Sequence, residues 1–180
     1  MFSKLRSNYR LSNILVRIAF VLAYVLYSWQ TSMAVTEMTL AQMSTMGFGG
    51  FSDAYILVMS LFASALLGVG LMFLLPLITK TFLNVSRFYN VPQSEYALLA
   101  HVFTTLYFLV CGALRLINFF TPLLLVWGEV LFPFVVGTVC TAWFYAVTSK
   151  LYFNDVTKPF YFRNVAIVYF IFAFVFGVVL

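Results

Sequence analysis

Five long apolar stretches divide the chain, and the polar residues between them come in short clusters. The stretches cover about residues 12–34, 54–78, 96–117, 122–149 and 164–180. A helix that crosses a bilayer needs roughly 17–25 mostly apolar residues, and each stretch is at least that long. A transmembrane barrel is excluded, because its strands alternate apolar and polar residues and these runs do not. The pattern predicts an all-α, polytopic transmembrane helical bundle of five spans, built as one integral membrane domain over residues 1–180.

Inside the stretches the few polar residues fall on faces. In the first, Asn13, Arg17, Tyr24, Tyr27, Ser28 and Thr31 form one stripe at helical pitch. In the third, His101, Thr104, Thr105, Phe108, Cys111, Gly112 and Arg115 share an arc of about 120°. Polar side chains are costly against lipid, so the stripes on helices 1 and 3 are expected to face inward. In the second, Ser60, Ser64 and Gly68 recur every four residues as a helix-packing ridge of small side chains. Pro76 marks the end of that helix or a kink in it. The fifth stretch has no polar face and is expected to meet lipid or to pack by shape alone.

Residues 35–53 read as an interfacial helix followed by a loop, GFGGFSD. Met33, Met38, Met43 and Met46 carry thioethers suited to Cu(I), but no His or Cys accompanies them. They read as flexible apolar side chains, and neither a metal site nor a cofactor is expected.

Composition agrees with the pattern. Of 180 residues, 64% are hydrophobic and 8% charged, whereas a soluble domain carries about 25% charged residues. The net charge of +5 sits in short segments beside the apolar runs. Lipid headgroups are therefore the expected counterpart, and nucleic acid is not. Nine of the ten Lys and Arg residues fall on one side of the threaded bundle, and Arg115 alone on the other. The positive-inside rule then gives N-terminus in and C-terminus out. The first apolar run is too long for a signal-peptide core and lacks an A-x-A site, so no cleavable leader is expected. The small, loop-poor build suggests a bacterial inner (plasma) membrane. Cys111 and Cys140 lie in different spans and are expected to be free thiols.

Candidate chemistry concentrates in the hairpin over residues 96–149. Ionisable residues within a span are functional candidates by default, which singles out His101, Arg115 and Glu129 as ligand-binding or ion-pair residues. Pro133 has no N–H to offer the carbonyl of residue 129, which favours a bend and a polar pocket there. An Arg115–Glu129 pair is within side-chain reach on this threading. His101 and Cys111 are almost three turns apart, too far for a base and its nucleophile. No HExxH, GxSxG, CxxC or Walker sequence is present, and no catalytic residue is assigned.

His101, followed by Glu129 and Pro133-Phe134, is similar to the His…E-x-x-x-P-F order of the lipid-handling TLC domains, over residues 101–134. Those domains commonly carry a His pair, whereas Ala100 precedes the single His101 here, and no function is carried over. The leading expectation is a non-catalytic membrane subunit or scaffold. It would pack with other membrane protein subunits, or with its own copies, in a larger complex. One alternative is a small transporter or channel that binds a cation or proton at Glu129. The other is a membrane enzyme acting on lipid through His101 and Glu129.

Overall fold

The computed structural model describes residues 9–46, 52–120 and 126–179, with side chains over 12–46, 52–119 and 131–171. Five helices account for its regular structure: α1 (Tyr9–Thr45), α2 (Asp53–Val85), α3 (Gln93–Phe120), α4 (Val126–Tyr152) and α5 (Lys158–Val179). Among the described residues, four stretches are long and apolar enough to cross a membrane: Ser12–Thr45, Asp53–Val85, Gln93–Phe119 and Leu131–Tyr152.

Helices α1, α2, α3 and α5 are each longer than their apolar stretches. The 37 residues of α1 carry the expected interfacial segment forward without a break, for a length of about 55 Å. Residues 35–45 include Ala, Leu, Met, Glu and Gln, and no Gly or Pro interrupts them. The hydroxyls of Thr36, Thr39, Ser44 and Thr45 donate to carbonyls three or four residues earlier, so they stay compatible with the helix. The start of the expected GFGGFSD loop, residues 47–51, lies outside the described residues. At its end Ser52 caps α2, its hydroxyl accepting the Tyr55 N–H at 3.3 Å, and Asp53 follows in the first turn.

Helix α2 does not end at Pro76 but continues to Val85. It stops where Arg87 takes a left-handed conformation, φ 58°. The Arg87 N–H donates to the Asn84 carbonyl and the Phe88 N–H to the Leu83 carbonyl, a Schellman closure. Phe88 packs back on the buried cluster that includes Leu83 and Tyr161. The Pro92 carbonyl then accepts the Tyr96 N–H at the start of α3.

Helix α3 is the element the others lean on. It packs against α1, α2 and α4, whereas α5 packs its backbone only against α4. Of its most apolar window 56% is buried, against 11–17% for the other three long helices. Two small residues let the backbones approach. A Cβ on Gly112 would sit 3.0 Å from the Leu26 and Tyr27 backbone of α1, and one on Gly68 would sit 3.1 Å from the Tyr24 ring. Ser60 and Ser64 are fully buried, and Ser64 donates to the Ser32 hydroxyl of α1 at 2.7 Å. The ridge on α2 thus faces α1. Phe20, Ala23 and Phe108 form the core between them.

A second core closes the opposite end of the bundle, where Leu83, Val91, Tyr96, Tyr161 and Val165 meet. The Tyr161 hydroxyl lies 3.1 Å from that of Tyr96 and also pairs with Thr148. Tyr152 donates to the Glu95 carboxylate at 3.2 Å. The expectation that the fifth helix makes no polar contact is therefore corrected. Within α5 the Tyr169 hydroxyl also reaches α4, 3.1 Å from the Phe134 carbonyl and 2.7 Å from Thr138 Oγ1. The turn into α5 is held by Asn154 and Thr157, with Lys158 bridging Asp155 at 2.7 Å. The ammonium beside Asp155 holds its carboxyl below the usual carboxylate range.

Candidate functional site

The α3 stripe supplies two polar centres at different heights. The lower one is His101, which is 2% exposed. Its Nδ1 is 2.8 Å from the Ala97 carbonyl, one turn back on α3. Its Nε2 is 3.0 Å from the Met72 carbonyl of α2. The second contact follows from the sequence of α2. In an unbroken helix the Met72 carbonyl would accept the N–H of residue 76, but that residue is Pro76 and has none. His101 supplies the missing donor from the neighbouring helix. A neutral imidazole carries one N–H and an imidazolium two. The Ala97 carbonyl already receives the N–H of residue 101 in the helix, so Met72 is the acceptor that depends on the ring. Phe20 of α1 meets the same ring edge to face at 5.3 Å, so His101 joins three helices.

Thr104 and Thr105 follow on the stripe and donate to the Ala100 and His101 carbonyls. Among the described residues no carboxylate forms an ion pair with His101. Both ring nitrogens face backbone oxygens, and among the described residues no side chain stands poised to exchange a proton with them.

The upper centre is Arg115. Its guanidinium donates to the Tyr27 carbonyl at 3.1 Å and lies over the Tyr27 ring, 4.3 Å from the centroid. The close approach at Gly112, one turn earlier, brings the α1 backbone within reach of this side chain. Gln30 in turn donates to the Arg115 carbonyl at 3.5 Å. Beside them a cavity of about 470 Å³ opens between α1, α3 and α4. Trp29, Gln30 and Glu37 line it from α1, Cys111, Arg115 and Asn118 from α3, and Phe132 and Pro133 from α4. The Trp29 Nε1–H is buried without an acceptor among the described residues.

Of the residues expected to carry chemistry, the structure thus separates His101 from Arg115 and sets a cavity beside the second. Glu129 belongs to the first turn of α4, but its side chain lies outside the described residues, and so does any pairing with Arg115. Both cysteines are free and buried. Trp29, Gln30 and Glu37 were not singled out by the sequence. Gln30 and Glu37 lie seven residues apart, which is two turns on one face, and that spacing is the signal that could have found them.

The chain defines an all-helical bundle with membrane-length helices and a polar seam along its central helix. No protein-family model, no curated protein and no solved structure matches it.

Proposed function

We propose that the protein is an integral membrane subunit without a catalytic centre of its own, built to pack against a partner membrane protein or a second copy. The observation that carries this reading is the flank formed by α4 and α5. Thr138 and Tyr169 share a hydrogen bond there, with Thr138 exposed and Val135, Val139 and Phe170 exposed around it. A hydroxyl pair at membrane depth is poorly matched to acyl chains, and a neighbouring helix covers it better than lipid does. The same flank lies at the edge of the bundle, because the α5 backbone packs only against α4 and reaches α2 and α3 through side chains such as Tyr161. Along α3, His101, Thr104, Thr105 and Arg115 likewise meet carbonyls within the chain, as Thr138 and Tyr169 meet that of Phe134, but there the neighbouring helices cover them. That pattern favours packing over turnover.

In the arrangement we favour, α5 forms a fifth span, the N-terminus lies inside and the C-terminus outside, in a bacterial inner membrane. The asymmetry of Lys and Arg supports that orientation. The test is a photo-crosslinking amino acid placed at Val139 or Phe170, with Leu66 on α2 as control. All three are exposed. A discrete protein adduct from the α4–α5 positions, absent from Leu66, is the expected result. An adduct of twice the chain's mass identifies a second copy as the partner. Lipid adducts alone from all three positions would refute the reading.

A further inference from the structure

We infer that the cavity between α1, α3 and α4 is a binding site for a zwitterionic phospho-amine headgroup, that of an aminophospholipid in the leaflet at the α1 C-terminal end. A cavity of about 470 Å³ is the size of a small-ligand site. Its polar groups are sorted by charge. Arg115 stands in the inner part, braced by the Tyr27 carbonyl and ring so that the guanidinium is held in place. A guanidinium recognises a phosphate in planar, bidentate fashion. Trp29 in the same wall carries a buried N–H with no acceptor among the described residues, which an oxygen-rich group would satisfy after a small shift of the indole.

Glu37 lines the cavity two turns beyond Gln30 on α1, about 10 Å along the helix, and is exposed. A carboxylate there repels a purely anionic headgroup and attracts an ammonium. The arrangement therefore fits a phosphate and an amine a few bonds apart, with phosphate inward and amine at the mouth. Leu114, Phe119 and Phe132 supply apolar wall for the glycerol and the first methylenes of the chains. The subunit reading does not require this site, and this site does not require a partner protein.

The purified full chain in mild detergent, titrated with phosphatidylethanolamine, phosphatidylcholine or phosphatidylglycerol, gives the test, with bound lipid counted by native mass spectrometry. Phosphatidylethanolamine is expected to bind at least tenfold more tightly than phosphatidylglycerol, and also more tightly than phosphatidylcholine, whose methylated ammonium has no N–H to donate to Glu37. Arg115→Gln should lower its affinity at least tenfold. Glu37→Gln, at an exposed position, should erase the preference over phosphatidylcholine and leave Arg115-dependent binding intact. Free phosphoethanolamine forms a separate arm. Displacement of the lipid by it at equal concentration would assign the same site to a soluble phospho-amine. Equal binding of the three lipids, or a preference untouched by Glu37→Gln in a variant with native helicity, would overturn the assignment.

Discussion

Removing the imidazole at His101 should expose the weakness that Pro76 builds into α2. In His101→Ala the Met72 carbonyl, in a half-buried position, loses its donor, and its own helix cannot replace it. An orphaned buried acceptor costs about 1–3 kcal/mol. The edge-to-face contact with Phe20 adds about 0.5–1.5 kcal/mol. The single variant is thus expected to lose on the order of 2–4 kcal/mol. Pro76→Ala restores an N–H at the position from which the Met72 carbonyl can be paired within α2. In the double variant that carbonyl is satisfied again, and about 1–3 kcal/mol should return. Reversible unfolding in mixed micelles, followed by helical circular dichroism, measures all four corners of the cycle. A coupling of at least about 1 kcal/mol between the two positions is expected, although they lie on different helices. Additive effects, within about 0.5 kcal/mol, would refute the claim that His101 serves the carbonyl that Pro76 leaves open.

Other perturbations should sort by geometry. Gly112→Ala sets a methyl 3.0 Å from the α1 backbone and should destabilise by about 1–3 kcal/mol. Gly70→Ala meets nothing within 4 Å and should be neutral or slightly stabilising in the same unfolding assay. Tyr161→Phe removes the hydroxyl shared by Tyr96 and Thr148, and should loosen α5, read as faster amide exchange after Lys158. The Asp155 carboxyl is held low by Lys158, so whatever its bridge contributes is present at neutral pH and is lost as pH falls through the lowered value. Asp155 is fully exposed, and Asp155→Asn should leave thermal stability at neutral pH unchanged. Glu129→Gln separates two functions. In a packing subunit it should lower assembly and abundance together, and in a transporter it should abolish flux while leaving both intact.

Much of the helical plan was legible because hydrocarbon is a demanding solvent. A chain this apolar leaves its few polar residues little freedom, and spacing alone places most of the helix 3 stripe inside, whereas Thr31 of the helix 1 stripe is exposed. The ridge at Ser60, Ser64 and Gly68 was legible for the same reason, although not which helix it faced. Helix ends were harder. Charge and proline mark where an apolar run stops, but backbone hydrogen bonding decides where a helix stops, and α2 runs past both Pro76 and Lys80. The role of Pro76 was half visible. The sequence shows that the Met72 carbonyl lacks its usual donor, but not that His101, 25 positions beyond Pro76, supplies one. Tyr161 and Tyr169 were missed because, unlike Tyr24 and Tyr27, they fall in no stripe of polar residues, while a tyrosine hydroxyl still needs a partner once buried. The cavity beside Arg115 draws on three helices at once, and no periodicity within one helix can reveal it.

The central claim is that lipid solvates the outside of this bundle while α3 holds its polar face inside. The most direct measurement places 4-fluorophenylalanine singly at Phe73, which is 60% exposed, and at Phe108, which is 9% exposed. Fluorine spectra of the protein in bilayers are then compared with dissolved oxygen and with a water-soluble paramagnetic chelate. Phe73 should respond strongly to oxygen and weakly to the chelate, and Phe108 weakly to both. A Phe73 signal broadened by the chelate, or a Phe108 signal as sensitive to oxygen as that of Phe73, would contradict the account.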